Sequence, residues 1–242
     1  MTKNAAKKNN EIPVVITPLN LDINGPYEML TKWLGDIESK PIDILKALFR
    51  DDSPDIVKDI MQRNVELKEA ADGVDVLIAL EDKTVIEKLV MPLRSAKQAY
   101  CLADNLGCIA LCGYACEMAA VFALTIAARS VDCTNLDDVC KFALNKKKCE
   151  SWRQEQRIEC LEKLQILPDL VTLEKMRDVK RIRNRYLHSI SKCHSKIRQD
   201  AVACYVASSY VMKSMIHIGL HCDGLHIPDH LVGYLKGKKR SG

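Results

Sequence analysis

The segment Arg181-Ile182-Arg183-Asn184-Arg185-Tyr186-Leu187-His188-Ser189 is where side-chain types and spacing could do chemistry. Between Glu174 and Arg198 nine basic side chains (Lys175, Arg177, Lys180, Arg181, Arg183, Arg185, Lys192, Lys196, Arg198) face two acidic ones, Glu174 and Asp178. Such cation density around a histidine suits phosphate chemistry. Cleaving RNA without a metal needs a base for the 2′-hydroxyl proton, an acid for the leaving 5′-oxygen and a cation for charge developing on phosphorus. Histidine can be base or acid near neutrality, and a guanidinium presents paired donors to phosphate oxygens. On a helix Asn184 and His188 are four apart and share a face; Arg183 lies about 140° around from His188, within reach of a shared phosphate if the helix kinks or starts there.

Charge is uneven along the 242 residues. Residues 1–90 carry 12 basic and 17 acidic side chains, residues 91–170 carry 10 of each, and residues 171–242 carry 14 and 5, so the net +4 conceals a C-terminal third at +9. That third predicts an anionic partner, nucleic acid or a membrane surface. The composition, 48% hydrophobic and 28% charged, excludes collagen-like, low-complexity and wholly disordered chains.

The elements that must position these residues are almost all helical. Residues 1–10 read as a disordered basic tail, and Ile12 to Ile23 has strand character before the turn at Asn24-Gly25-Pro26. Short amphipathic helices follow over Tyr27 to Ile37 and Pro41 to Phe49, and another runs from Ser53-Pro54 to about Ala71. Asp82 or Thr84 can cap a long helix past Tyr100 whose apolar face is Val85, Leu89, Leu93, Ala96 and Tyr100. Leu106 to Ala128 then holds 23 residues with one charge, Glu117, near its middle. Its Ala, Gly and Cys content and its central carboxylate favour the buried core helix of a bundle over a membrane span. A short helix over Thr134 to Leu144, an amphipathic one over Trp152 to Leu167, and two long helices, Leu173 to Ile190 and Ile197 to Leu220, complete the pattern. The expected fold is all-α: an up-down helical bundle over 82–222, a smaller, mostly helical N-terminal extension over 11–81 and a basic C-terminal tail over 223–242.

Arg183-Asn184-x-x-x-His188 resembles the Arg-polar-x(3)-His signature of HEPN domains, helical bundles found in toxin–antitoxin ribonucleases, abortive-infection proteins and CRISPR effectors. The surroundings from Lys83 to His217 are similar too: a long helical hairpin with a Gly/Ala-rich second helix (Leu106-Gly-Cys-Ile-Ala-Leu-Cys-Gly-Tyr-Ala-Cys-Glu-Met), then Gln156-Arg157-Ile158-x-x-Leu161, then the His188 helix and a closing helix beginning Asp200-Ala201. The resemblance implies a HEPN-like bundle that is a metal-independent endoribonuclease with no cofactor. It implies a homodimer in which two Arg/His pairs meet across a cleft, leaving 2′,3′-cyclic phosphate ends, in a toxin or phage-defence setting with an antitoxin or other regulatory protein as partner. Arg183 would stabilise the phosphorane, His188 would be general acid or base, and Asn184 would orient the histidine or the phosphate. Glu117 matches an acidic position on the second HEPN helix and could hold Arg183, which would compensate its burial. Arg177, Lys180, Arg181 and Arg185 would line the RNA path; Tyr186 could stack on a base, although packing is the favoured reading. Many HEPN-like domains keep the fold without nuclease activity, so a non-catalytic binding or dimerisation module is the rival function.

Other constellations weigh less. Cys108, Cys112 and Cys116 recur every four residues and read as small thiols at a close helix contact more readily than as metal ligands. His217 and His221, followed by Cys222, His226 and His230, have a chelating spacing on a helix, but Gly219 and Gly224 suggest the helix is ending. His194 reads as a cap or loop residue and Lys146 to Lys148 as a solvated loop. Eleven scattered cysteines and a polar N-terminus predict reduced thiols and a cytoplasmic protein away from membranes. No Gly-rich phosphate loop, Ser/His/Asp order or dinucleotide fingerprint occurs in the sequence.

Overall fold

The structure is a computed structural model, and it describes residues 14–18, 56–71, 76–130, 152–165, 167, 169–187, 195–217, 219–221, 224–229 and 231–232. The described elements run β1 (Val14–Pro18), α1 (Ile56–Ala70), β2 (Val76–Leu80), α2, α3 (Asn105–Ser130), α4 (Gln154–Leu164), α5 (Leu170–Leu187), α6 (Ile197–Ile216), β3 (Gly219–His221) and β4 (Gly224–His226). Helix α2 opens over Lys83–Val85, loosens into a π turn over Ile86–Val90 and continues as Met91–Cys101. The all-α bundle expected from the sequence is the architecture found, with two two-stranded antiparallel ribbons beside it, β1 with β2 and β3 with β4.

Helix α3 is the axis, and α2, α4, α5 and α6 all pack on it. Its apolar run has no polar stripe because neighbours surround it: Cys108, Ile109, Cys112, Ala115, Cys116, Ala119 and Ala120 are all buried. Among the described residues it is the one helix long and apolar enough to cross a membrane. Asp82 caps α2, its carboxylate accepting from the Thr84 and Val85 amides at 2.8 and 3.3 Å. All five residues of the expected apolar face of α2, from Val85 to Tyr100, are buried. The turn into α3 is tight enough that Ala103 adopts a left-handed backbone, with φ 65°, and Asp104 folds back to accept from the Gly107 amide at 2.7 Å.

Helix α1 packs onto the bundle. Leu67 joins the common core, and Arg63 lies 5.3 Å from the Tyr100 ring centroid while donating to Asn105 Oδ1 at 3.2 Å. Glu66 accepts from Arg198 of α6 at 2.6 Å, and Arg198 Nε donates to the Tyr100 hydroxyl at 3.4 Å. Burial, joined by the neighbouring Glu66, pushes the Tyr100 hydroxyl up to about 12. An unfolded tyrosine releases its proton near 10, earlier than the folded one, so stability falls as pH rises from about 10 towards about 12. Urea unfolding midpoints should drop across that interval, and less steeply in Tyr100→Phe.

The α3–α6 contact is close because small groups line it. Cys116 Sγ lies 3.4 Å from Ser208 Oγ, which donates to the Cys204 carbonyl at 2.8 Å. Cys101, Cys108, Cys112, Cys116, Cys160 and Cys204 are buried free thiols, so the four-residue repeat of cysteines is a packing seam. Cys112→Leu should cost about 1–3 kcal/mol by overpacking it, read from the denaturation midpoint.

Several boundaries differ from expectation. Helix α6 ends at Ile216, four residues before Leu220, because Gly219–His221 turns back to pair with Gly224–His226. His217 is therefore an extended residue past the helix end, and the helical His217/His221 chelating pair does not form. Among the described residues no group of three or more His, Cys, Asp or Glu is arranged to hold a metal. Helix α5 starts at Leu170, three residues before Leu173. The expected helix over Thr134 to Leu144, the lysine run 146–148, His194, Cys222, His230, the first tail and most of the second lie outside the described residues.

Candidate functional site

Glu117 sits in the middle of α3, and its carboxylate is shared by two arginines from two other helices. Arg157 of α4 donates to Oε1 at 2.6 Å. Arg183 of α5 donates to Oε2 at 3.1 Å. Arg157 is 3% exposed, Glu117 24% and Arg183 29%, so the cluster is graded from core to surface with Arg183 outermost. Arg183 is the member of this cluster that reaches the surface.

Gly113 lies one turn before Glu117 on the same face of α3, and the Arg183 side chain lies over it. A Cβ at Gly113 would stand 2.3 Å from Arg183 Cδ and 3.2 Å from Nε. Glycine inside a helix costs about 0.5–1 kcal/mol relative to alanine, and here it opens the space through which Arg183 reaches the carboxylate. Arg183 Nε is buried and without a hydrogen-bond partner. Beside the cluster, Gln154 donates from Nε2 to the Cys116 carbonyl at 3.5 Å, and its Oε1 is also buried and unpartnered.

The expected acidic partner of Arg183 is thus in place, but its role narrows. Both Glu117 oxygens are engaged by guanidiniums, so what the geometry gives this carboxylate is the seating of Arg183. Asn184 is exposed on α5. His188 follows directly on Leu187, the last residue of α5, and lies outside the described residues.

The residues expected to line an RNA path are tied to carboxylates. Arg177 pairs with Glu162 at 2.5 Å and Lys180 with Glu155, both across to α4. Arg181 pairs with Asp178 at 2.8 Å within α5, and Arg185 with Asp200 of α6 at 2.6 Å. Tyr186 packs: it is buried, and its hydroxyl donates to the same Asp200 oxygen at 2.6 Å. It presents no free ring face for a base, which corrects its placement among RNA-contacting residues. Asp200 thereby fixes the last turn of α5 immediately before His188. Asp200→Ala should cost about 0.5–1.5 kcal/mol, since it removes the part-buried acceptor that the Tyr186 hydroxyl and Arg185 share, as checked by chemical denaturation.

Gln154 and Gly113 are not singled out by the sequence, and Arg157 enters only within Gln156-Arg157-Ile158, with no role attached. The signal for Arg157 was its place one residue before Ile158 and four before Leu161, on the apolar stripe of α4. Gly113 was readable only as a mid-helix glycine with no turn to make.

No protein-family model, no curated protein and no solved structure matches the chain.

Proposed function

We propose that this protein is an endoribonuclease of HEPN type, in which Arg183 binds the scissile phosphate and His188 moves the proton. The observation that carries this reading is the seating of Arg183. It is held by a carboxylate on one edge and carries a buried, unpaired Nε. It shares that carboxylate with a second guanidinium, and it lies five residues before a histidine. A guanidinium fixed in this way offers donors to phosphate oxygens without reorganising as charge develops.

The chemistry needs few parts. His188 takes the 2′-hydroxyl proton, or donates one to the 5′-oxygen, and Arg183 stabilises the additional charge on phosphorus. The 2′-oxygen forms a bond to phosphorus and the 5′-oxygen leaves, giving a 2′,3′-cyclic phosphate. A single histidine supplies one of the two proton transfers, and a second copy in a homodimer supplies the other. The paired surface cations of α5 do not prevent RNA from binding, because exposed ion pairs are worth only about 0–1 kcal/mol and a polyanion can displace the carboxylates.

The test is an RNA oligonucleotide containing one 2′-deoxynucleotide at a cleaved position. Cleavage should stop at that position, continue elsewhere in EDTA, and leave cyclic phosphate ends. Cleavage through the deoxy position would refute 2′-hydroxyl attack.

A second reading, a non-catalytic helical binding or dimerisation module, is favoured by the pairing of Arg177, Lys180, Arg181 and Arg185 with carboxylates, which lowers the free positive charge of the face. RNA left intact by a protein that still self-associates would select it.

A further inference from the structure

We propose that Asp200 is a positioning residue for the cleavage: by drawing Arg185 and Tyr186 to one of its oxygens it keeps the last turn of α5 wound, and so fixes how far His188 starts from Arg183. The inference rests on the proposed roles of Arg183 and His188, and Asp200 acts through α5 without touching substrate.

The last turn controls the spacing. Arg183 and His188 are five residues apart, and a chain that stays helical up to Leu187 puts their Cα atoms about 8–9 Å apart. Unwound, the same five steps stretch to about 17 Å and leave no fixed place for one phosphate between the two side chains. A helix end is where unwinding begins, because its last four carbonyls have no partner within the helix.

Here that end is tied down. Arg185 donates to Asp200 Oδ2 at 2.6 Å, and the Tyr186 hydroxyl donates to the same oxygen at 2.6 Å. Asp200 lies in the first turn of α6 and is 18% exposed, less than the carboxylates that hold Arg177, Lys180 and Arg181, so water screens its contacts least. Burial, joined by Asp200 itself, holds the Tyr186 hydroxyl above the usual tyrosine range, and it stays a donor at neutral pH. Leu187 ends α5 and Ile197 begins α6. Asp200 therefore joins the turn before the connection that carries His188 to the turn after it.

Single-turnover cleavage of RNA at saturating protein separates positioning from loss of binding. Asp200→Ala should slow it about tenfold or more, since a displacement of about an ångström is enough. Affinity for a 2′-O-methyl RNA oligonucleotide, which carries phosphates but cannot be cleaved by 2′-hydroxyl attack, should stay within about threefold, because Arg183 keeps its seat over α3. Asp200→Asn, which keeps an oxygen acceptor for Tyr186, should recover the rate to within about threefold of wild type. Arg185→Gln breaks an exposed ion pair alone and should lose about threefold. Hydrogen exchange reads the same turn without any reaction: the amides of residues 184–187 should exchange about tenfold faster in Asp200→Ala, and those of α3 should not change. Circular dichroism confirms folding; if Asp200→Ala does not fold, Arg185→Gln decides by both readouts.

A native cleavage rate in Asp200→Ala overturns the proposal, as does unchanged exchange at residues 184–187. So does a rate lost only in proportion to RNA affinity. If wild type leaves RNA intact, the nuclease reading falls, and exchange alone judges whether Asp200 holds the end of α5. If wild type cleaves and Asp200→Ala matches it, the positioning role falls and the nuclease reading stands.

Discussion

Gly113→Ala is expected to lower RNA cleavage about a hundredfold, the loss that follows when a reacting group is displaced by about an ångström, while the melting temperature barely changes. The new Cβ would stand 2.3 Å from Arg183 Cδ, in the middle of the side chain and not at its mobile tip. Arg183 must swing off α3, and its contact with Glu117 is lost. The folded protein has an easy response, because Arg183 is 29% exposed and can extend into water. Better helix propensity returns about 1 kcal/mol, which offsets much of the local crowding. Single-turnover cleavage and a thermal melt on the same preparation check both halves. Unchanged cleavage would mean that the seating of Arg183 over α3 is unrelated to activity.

Glu117→Ala should be the most destabilising change at the site, at about 3 kcal/mol. It takes from the guanidinium of Arg157, 3% exposed, the carboxylate paired with it at 2.6 Å, and breaking a buried pair by removing one member costs about 3–5 kcal/mol. The lower end applies because Glu117 itself is 24% exposed and water can enter the vacated space. Arg183 contributes little to the loss, since it can turn outward. The sign of a second change separates this account from simple loss of packing. Replacing both partners, Glu117→Leu with Arg157→Leu, should recover most of the loss, because a buried ion pair exchanged for apolar groups of similar size is often neutral or stabilising. Urea denaturation of the two variants decides it; a double variant less stable than Glu117→Ala would contradict the electrostatic explanation.

Most of the bundle was legible because its signals are local. Asp82 announces itself as a cap, and Val85 through Tyr100 falls on one helical face. The run from Leu106 is too apolar to be a surface helix. What was not legible depends on residues distant in sequence. Val76–Leu80 is a five-residue apolar run whose strand identity comes from pairing with Val14–Pro18, more than fifty residues earlier. The early end of α6 is signalled locally by Gly219 and Gly224, and the ribbon they allow places it at Ile216. At the site, a carboxylate on an apolar helix required a partner, and the resemblance supplied Arg183. It names Arg157 only within Gln156-Arg157-Ile158 and gives no role to that side chain, forty positions away, which takes the closer oxygen of the same carboxylate. Nor could the sequence say that Arg177, Lys180, Arg181 and Arg185 would each be matched by a carboxylate, since three of those four partners come from neighbouring helices.

The central claim is that Arg183 and His188 together cleave RNA. It is tested most directly by incubating the full chain with single-stranded and structured RNA in EDTA, beside Arg183→Ala and His188→Ala. Wild type is expected to cleave, each variant to lose about a hundredfold or more, and DNA of the same sequence to stay intact. No cleavage by wild type, or equal cleavage by all three proteins, would contradict it.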